Sequence, residues 1–237
     1  MTKVFEQAKV ILRALPERSE SLMSLPIKTL VQCDFDGTIT EEDIALFLMD
    51  TFVGEGWRPL LDDYRQHKIS VGQFNTRAFA MIKADRETLL AAIRGKVRFR
   101  EGLQQLVACC QRRGFRLVIV SNGLDFYIET ILKDAGLDGI EVHAAQTRFS
   151  PRGLEVRYIG PDGHEMDSNF KDAYARLFQS QGYRLVYIGD GLSDVEASRY
   201  AHHVLATGEF LDYCRENNLS CKPFDSLSDV VATLELL

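Results

Sequence analysis

Three short apolar, β-branched runs, each ending in a polar turn that contains glycine, constrain this chain more than any other feature. Ile27 to Cys33 runs into Asp34-Phe35-Asp36-Gly37-Thr38, Phe115 to Val120 into Ser121-Asn122-Gly123, and Arg184 to Ile188 into Gly189-Asp190-Gly191. Such runs suit strands buried on both faces of a parallel sheet. Helical patterns fill the intervals. Glu101 to Arg113 stops at Gly114, and Leu124 to Ala135 sets Leu124, Ile128, Ile131, Leu132 and Ala135 on one face before Gly136. The alternation predicts an α/β fold, a Rossmann-like parallel sheet with right-handed crossovers, whose ligands gather at the carboxyl ends of the strands. All three turns fall at such ends.

Two stretches break the alternation. Residues 40–97 are far too long for a plain crossover. They read as helices over Asp43 to Val53, Arg58 to His67, Ser70 to Ile82 and Asp85 to Ile93, with a capping box at Ser70 and Gln73 and an N-cap at Asp85. The expected organisation is therefore a core of residues 28–39 and 98–237 with a helical cap, 40–97, inserted after the first strand. Between Thr147 and Asp167, the turns Pro151-Arg152-Gly153 and Pro161-Asp162-Gly163 predict a β-hairpin excursion. Residues 1–27 read as an amphipathic helix (Val4, Phe5, Ala8, Ile11, Leu12 and Leu15 on one face) and a linker, not as a signal peptide. A cytoplasmic location is the expectation.

Composition narrows the chemistry. A net charge of −6 lacks the basic stripe a nucleic-acid surface needs, and no segment approaches a membrane span. The five cysteines form no C-x-x-C pair and read as reduced thiols. An acidic chain that binds an anion must do so locally, with a metal and a few placed donors.

The turns supply such a set. Asp-x-Asp alone also occurs in calcium loops and acidic turns. At a strand end, however, Asp34 and Asp36 face the same side. Asp34 can attack phosphorus, while Asp36 protonates the leaving alcohol and then activates water. Two anions acting on a phosphate need a cation, and Mg²⁺ prefers hard oxygen ligands. Asp190 is the expected metal ligand and Asp194 completes or supports its shell. Ser121, Asn122 and Gly123 can cradle phosphate oxygens, and Lys171, opening a helix, can offset the carboxylates.

In this order, Asp34-x-Asp36-x-Thr38, Ser121, Lys171 and Gly189-Asp190-Gly191-x-Ser193-Asp194 resemble the four motifs of the haloacid dehalogenase superfamily. The resemblance implies a phospho-aspartate on Asp34, general acid/base work by Asp36, and Mg²⁺ held by the Asp34 and Asp190 carboxylates and the Asp36 carbonyl, with Asp194 nearby. Thr38, Ser121 and Lys171 would bind or orient the phosphate and the nucleophile. Transport ATPases carry Thr at the Asp36 position and the dehalogenases proper lack this carboxylate, so the resemblance is to phosphatases. A cap between the first two motifs is similar to the phosphoserine phosphatase-like branch. There, phosphoserine phosphatases place a Glu where this chain has Asp43, and a cap Arg near Arg77. The runs Thr38-Ile39-Thr40, Gly191 to Ala197 and Cys214 to Leu219 look more like the methionine-salvage phosphatases acting on 2-hydroxy-3-keto-5-methylthiopentenyl-1-phosphate. Candidate substrate contacts in the cap are Asp43, Trp57, Phe74, Arg77 and Phe79; the three aromatic residues read first as cap core, of which one could line the pocket. The expected partner is a small phosphorylated metabolite. A phosphotransferase using the same phospho-aspartate, and a regulatory domain phosphorylated on Asp34, are the alternatives. The second has no need of Asp36.

Overall fold

Thr29–Cys33 (β1), Thr-Leu-Val-Gln-Cys, is a strand buried along its whole length, and its one polar amide side chain, Gln32, donates to Lys171 O at 3.0 Å. In the computed structural model, which describes residues 28–237, β1 lies at the centre of an eight-stranded sheet. It pairs in parallel with Arg116–Leu124 (β2) on one side and Arg184–Gly189 (β6) on the other. Glu141–Ser150 (β3) extends the sheet beyond β2; His203–Ala206 (β7) and Lys222–Pro223 (β8) extend it beyond β6, all in parallel. The six parallel strands thus run β3-β2-β1-β6-β7-β8. The chain walks outward from β1 on one side and then crosses back to the other, so that β1 and β6 flank a topological switch point, where open α/β sheets hold their ligands. Gly153–Ile159 (β4) and Glu165–Met166 (β5) add antiparallel to the outer edge of β3, which is the hairpin expected between Thr147 and Asp167.

Five helices of the sheet matter for the site or its support. Leu103–Arg113 (α5) ends on Gly114, whose left-handed conformation closes the helix. Asp125–Asp134 (α6) follows β2, Phe170–Ser180 (α7) precedes β6, Gly208–Glu216 (α9) follows β7 and Leu227–Leu234 (α10) packs on α5. A single turn, Val195–Ser198 (α8), leaves the end of β6.

Between β1 and β2 the chain forms Ile44–Phe52 (α1), Arg58–Arg65 (α2), Val71–Phe79 (α3) and Arg86–Ile93 (α4). Their starts follow from capping. Asp43 accepts from Leu46 N, Ser70 and Gln73 form a reciprocal capping box, and Asp85 accepts from Thr88 N. This insertion leaves and re-enters the sheet through a short paired ribbon, with Glu41 N on Arg98 O at 2.9 Å and Arg100 N on Ile39 O at 2.8 Å. Its far side is tied to the hairpin: Leu154 N donates to Ile82 O at 3.1 Å and the Ser70 hydroxyl to Asp167 O. Trp57, Phe74 and Phe79 are buried and join the same apolar core as the sheet. The N-terminal amphipathic pattern lies outside the described residues. No helix among the described residues is long and apolar enough to cross a membrane. The cysteines are all free thiols.

Candidate active site

Asp34 follows β1 directly, and its amide still donates to Ile188 O on β6 at 2.9 Å, so the strand pairing fixes where its side chain starts. One carboxylate oxygen, Oδ2, lies 2.8 Å from Lys171 Nζ. The other, Oδ1, is buried with no partner. An orphaned buried carboxylate oxygen is costly unless something occupies it, so Oδ1 is placed to meet a ligand. Burial pushes Asp34 up to about 6; Lys171 opposes the shift and Asp194 adds to it.

Lys171 enters at the start of α7 and spends all three of its protons. It donates to Asp194 Oδ1 at 2.7 Å and Ser193 Oγ at 3.1 Å as well as facing Asp34. Burial alone would lower its pKa, but the Asp194 and Asp34 charges outweigh burial and hold it above the usual lysine range. Asp194 is fully enclosed. Its Oδ1 takes Lys171 and the Tyr187 hydroxyl, and its Oδ2 takes the Asp190 and Gly191 amides at 3.0 and 2.9 Å. A carboxylate so saturated builds the turn and aims the lysine.

Asp190, at the end of β6, accepts from the Thr38 hydroxyl at 2.8 Å. The approach needs Gly37: it sits at φ +74°, and a Cβ there would overlap the Asp190 carboxylate. Burial, then the Asp34 and Asp194 charges, push Asp190 well above the usual carboxylate range. Oxygens of Asp34, Asp190 and Asp194 lie within 4.8 Å of one another. Three clustered carboxylates facing one ammonium, all hard oxygens with one lone pair set orphaned, fit a divalent cation.

The Asp36 carboxyl is turned out of that cluster. Its Oδ1 accepts from Ile44 N at 3.0 Å and its Oδ2 from the Tyr127 hydroxyl at 2.5 Å. Burial, then the charge of Asp43, raise it well above the usual range. Both side-chain oxygens are thus engaged, by a helix end and a tyrosine, and the backbone carbonyl is the Asp36 group that the resemblance implies for metal contact.

The Ser121-Asn122-Gly123 segment departs from the expected turn. β2 continues through it to Leu124, with an irregular register after Val120. Such a bulge re-aims side chains without ending the strand. Ser121 Oγ accepts from Gly123 N at 3.0 Å, and Asn122 Oδ1 is buried without a partner.

The model of the family described as haloacid dehalogenase-like hydrolase matches residues 31–199. The chain belongs to that family. A 2-hydroxy-3-keto-5-methylthiopentenyl-1-phosphate phosphatase of Geobacillus thermodenitrificans is 30% identical over 214 residues, covering 86% of this chain and 94% of the relative. The bifunctional enzyme MtnB/MtnX of Bacillus licheniformis is 30% identical over 88% of this chain but only 49% of its own length. In fold, a phosphoserine phosphatase carrying a phospho-aspartyl intermediate analogue aligns with TM-score 0.66 at 19% identity, over 87% of this chain and 99% of that one. This haloacid dehalogenase-like hydrolase is a phosphatase, a phosphoric monoester hydrolase.

Of the residues expected from the insertion, Asp43 and Phe74 line the cavity of about 160 Å³ over Asp34, together with Leu46, Met49, Leu61 and Tyr64. Trp57 and Phe79 do not. Both are fully buried in the core, and the Trp57 indole donates to Asp50 at 3.0 Å. Arg77 is exposed and borders a separate surface cavity with Val156, Glu165 and Asp167. Sequence reasoning missed Tyr127, Asn75, Tyr158 and Arg100. Asn75 donates to Asn122 O and the Tyr158 hydroxyl, and Arg100 donates to Gly37 O and Thr38 O at 2.6 and 2.9 Å. For Tyr127 one signal existed, a polar-tipped aromatic within the apolar stripe of α6.

Proposed function

We propose that this phosphatase hydrolyses a small phosphate monoester with a neutral, partly apolar body, by passing the phosphoryl group through Asp34. The observation that carries this reading is the Asp34 carboxylate itself, with one oxygen held by Lys171 and the other buried and unengaged. In the first displacement Asp34 Oδ1 bonds to phosphorus as the bond to the leaving oxygen breaks, and Asp36 gives that oxygen a proton. In the second, Asp36 takes a proton from water, the water oxygen bonds to phosphorus, and Asp34 is released as carboxylate with inorganic phosphate. Lys171 balances charge on Asp34 and the transferring group, while Ser121, the Asn122–Gly123 amides and Thr38 orient the phosphate and the acidic cluster. Mg²⁺ suits the Asp34 and Asp190 carboxylates and the Asp36 carbonyl, with Asp194 supporting them, and when bound it neutralises phosphate charge.

Residues 40–97 act, in this reading, as a cap that selects the substrate. Support comes from the cavity wall: Leu46, Met49, Leu61, Val71 and Phe74 are apolar, and the one basic side chain besides Lys171, Arg65, is paired with Glu209 at 2.9 Å. A phosphoserine pocket needs a free, well-aimed Arg for the substrate carboxylate. An adjoining cavity of about 620 Å³ shares Tyr64, Arg65, Asn122 and Lys171 and gives a longer chain somewhere to extend. A phosphorylated keto or enol chain like the one named for the Geobacillus relative fits these walls, and a cytoplasmic metabolite is the natural source. The test is release of phosphate from a panel containing that compound, phosphoserine and sugar phosphates, with Mg²⁺ and then with chelator. A hundredfold preference for phosphoserine in kcat/KM, or full activity in chelator, would overturn the reading.

A further inference from the structure

Tyr127 belongs to none of the four motifs, yet it makes the most direct contact with the proposed proton carrier. It is fully buried on the inward face of α6, and its hydroxyl donates to Asp36 Oδ2 at 2.5 Å. The opposite oxygen, Oδ1, accepts from Ile44 N, the first amide of α1, at 3.0 Å. A carboxyl group turns easily about its last torsion. Donors fixed on both oxygens, one from the sheet's own helix and one from the insertion, leave it a single plane. Tyr127 is itself held between Phe35 and Phe126, whose ring centroids lie 6.5 and 5.5 Å away. Gly123 makes the contact possible, because a Cβ there would overlap both the tyrosine hydroxyl and Asp36 Oδ2.

We infer that Tyr127 is a positioning residue that holds the Asp36 carboxyl in the orientation for proton transfer to the leaving oxygen and from the attacking water. The inference rests on the reading of Asp36 as that proton carrier. A buried tyrosine hydroxyl needs some acceptor, and a backbone carbonyl would satisfy it without constraining any reacting group. Here the acceptor is the one carboxyl in the site whose orientation decides a proton's path.

Leaving-group dependence separates this role from packing. An aliphatic alkoxide leaves phosphorus only with a proton, whereas p-nitrophenolate leaves unaided. Tyr127→Phe should therefore lower kcat for an aliphatic phosphate about 10²-fold, with KM within twofold. The first displacement on p-nitrophenyl phosphate should stay close to wild type. Phosphoenzyme should then accumulate in acid-quenched samples, since the water step also uses Asp36. Added to Asp36→Asn, the same substitution should cost less than a further twofold. Tyr127→Met, which also deletes the hydroxyl, carries the same comparison if the phenylalanine variant does not fold. Equal losses in the first displacement on aryl and aliphatic phosphates, or full additivity with Asp36→Asn, overturn the inference while the Asp36 reading stands. Equal losses in Asp36→Asn alone overturn that reading and the Tyr127 inference with it.

Discussion

The ends of β1, β2 and β6 and the helical insertion over them treat charge in opposite ways. At the strand ends, charged groups are buried and bonded to one another: Lys171 faces Asp34 and Asp194, and Asp194 closes on the amides of its own turn. In the insertion, apart from Asp43 at its first helix, charges are turned outward or paired at the rim, as Arg65 is with Glu209 and Arg58 with Asp50, and the wall facing Asp34 is mostly apolar. Backbone pairing fixes the first set to within a strand register. The second set is fixed only by packing, which tolerates exchange of one apolar side chain for another. In the proposed function, reaction chemistry therefore sits on the rigid part, and choice of substrate on the part that can vary.

The largest effect expected from breaking this division is at Asp34. Asp34→Asn leaves the strand pairing untouched but removes the proposed nucleophile, so kcat should fall by roughly 10⁴-fold or more. No phosphoenzyme should form in acid-quenched samples. Turnover within tenfold of wild type would put the nucleophile elsewhere.

The buried charge predicts a pH effect on stability next. Asp34, at about 6, and Asp190 and Asp36, well above their usual range, are all raised by burial first. A carboxyl whose folded value is raised binds more protons folded than unfolded. Its contribution is present below the unfolded value near 4 and is lost as pH rises through the folded value. In chelator, the melting temperature should drop by several degrees between pH 5 and 7.5, at about 2–4 °C per kcal/mol for a chain of this size. Mg²⁺ should recover more of it at pH 7.5 than at pH 5. A melting temperature that climbs with pH in chelator would contradict the shifts.

Legibility in the sequence divides along the same line. The strands, the parallel sheet and the turns carrying Asp34, Lys171 and Asp190 were readable because glycine, β-branched runs and paired carboxylates are local signals. The helix starts at Ser70 and Asp85 were readable for the same reason, since a cap is made by residues three apart. Ser121-Asn122-Gly123 misled, because Asn-Gly inside a strand served a bulge instead of a turn. Arg100 left no local signal and Tyr127 only a polar tip within an apolar stripe: each gains its role from a partner more than 60 residues away. Trp57 and Phe79 could be read either as core or as pocket wall, because an apolar stripe says that a helix packs, and not against what; both pack in the core.

Phe74 tests the insertion's half of the contrast. Its ring stacks on Tyr64 at 5.8 Å between centroids and tilts against Trp57 at 6.2 Å, while its edge lines the cavity over Asp34. Phe74→Ala should cost about 3 kcal/mol of stability. It should lower kcat/KM for a phosphate with an apolar chain roughly tenfold, and for glycerol phosphate by less than threefold. Equal loss on both substrates would mean that this wall does not select.

The smallest effect is expected at Arg77, and it follows from helix geometry alone. Arg77 stands two residues beyond Asn75 on α3, which is about 200° around the helix. Asn75 points at the sheet, donating to Asn122 O at 3.1 Å and the Tyr158 hydroxyl at 2.7 Å. Arg77 must then face away, and it borders the outer cavity beside Glu165 and Asp167 instead of the one over Asp34. Rotating α3 to bring it inward would break both Asn75 bonds and the capping box at Ser70, at about 1 kcal/mol or more for each. Arg77→Ala should therefore leave kcat/KM within twofold for phosphoserine, sugar phosphates and apolar-chain phosphates alike, and an exposed change of this kind should move stability by less than about 0.5 kcal/mol. Selective loss of activity on phosphoserine would show instead that the helix turns on binding, and that the insertion holds a carboxylate anchor after all.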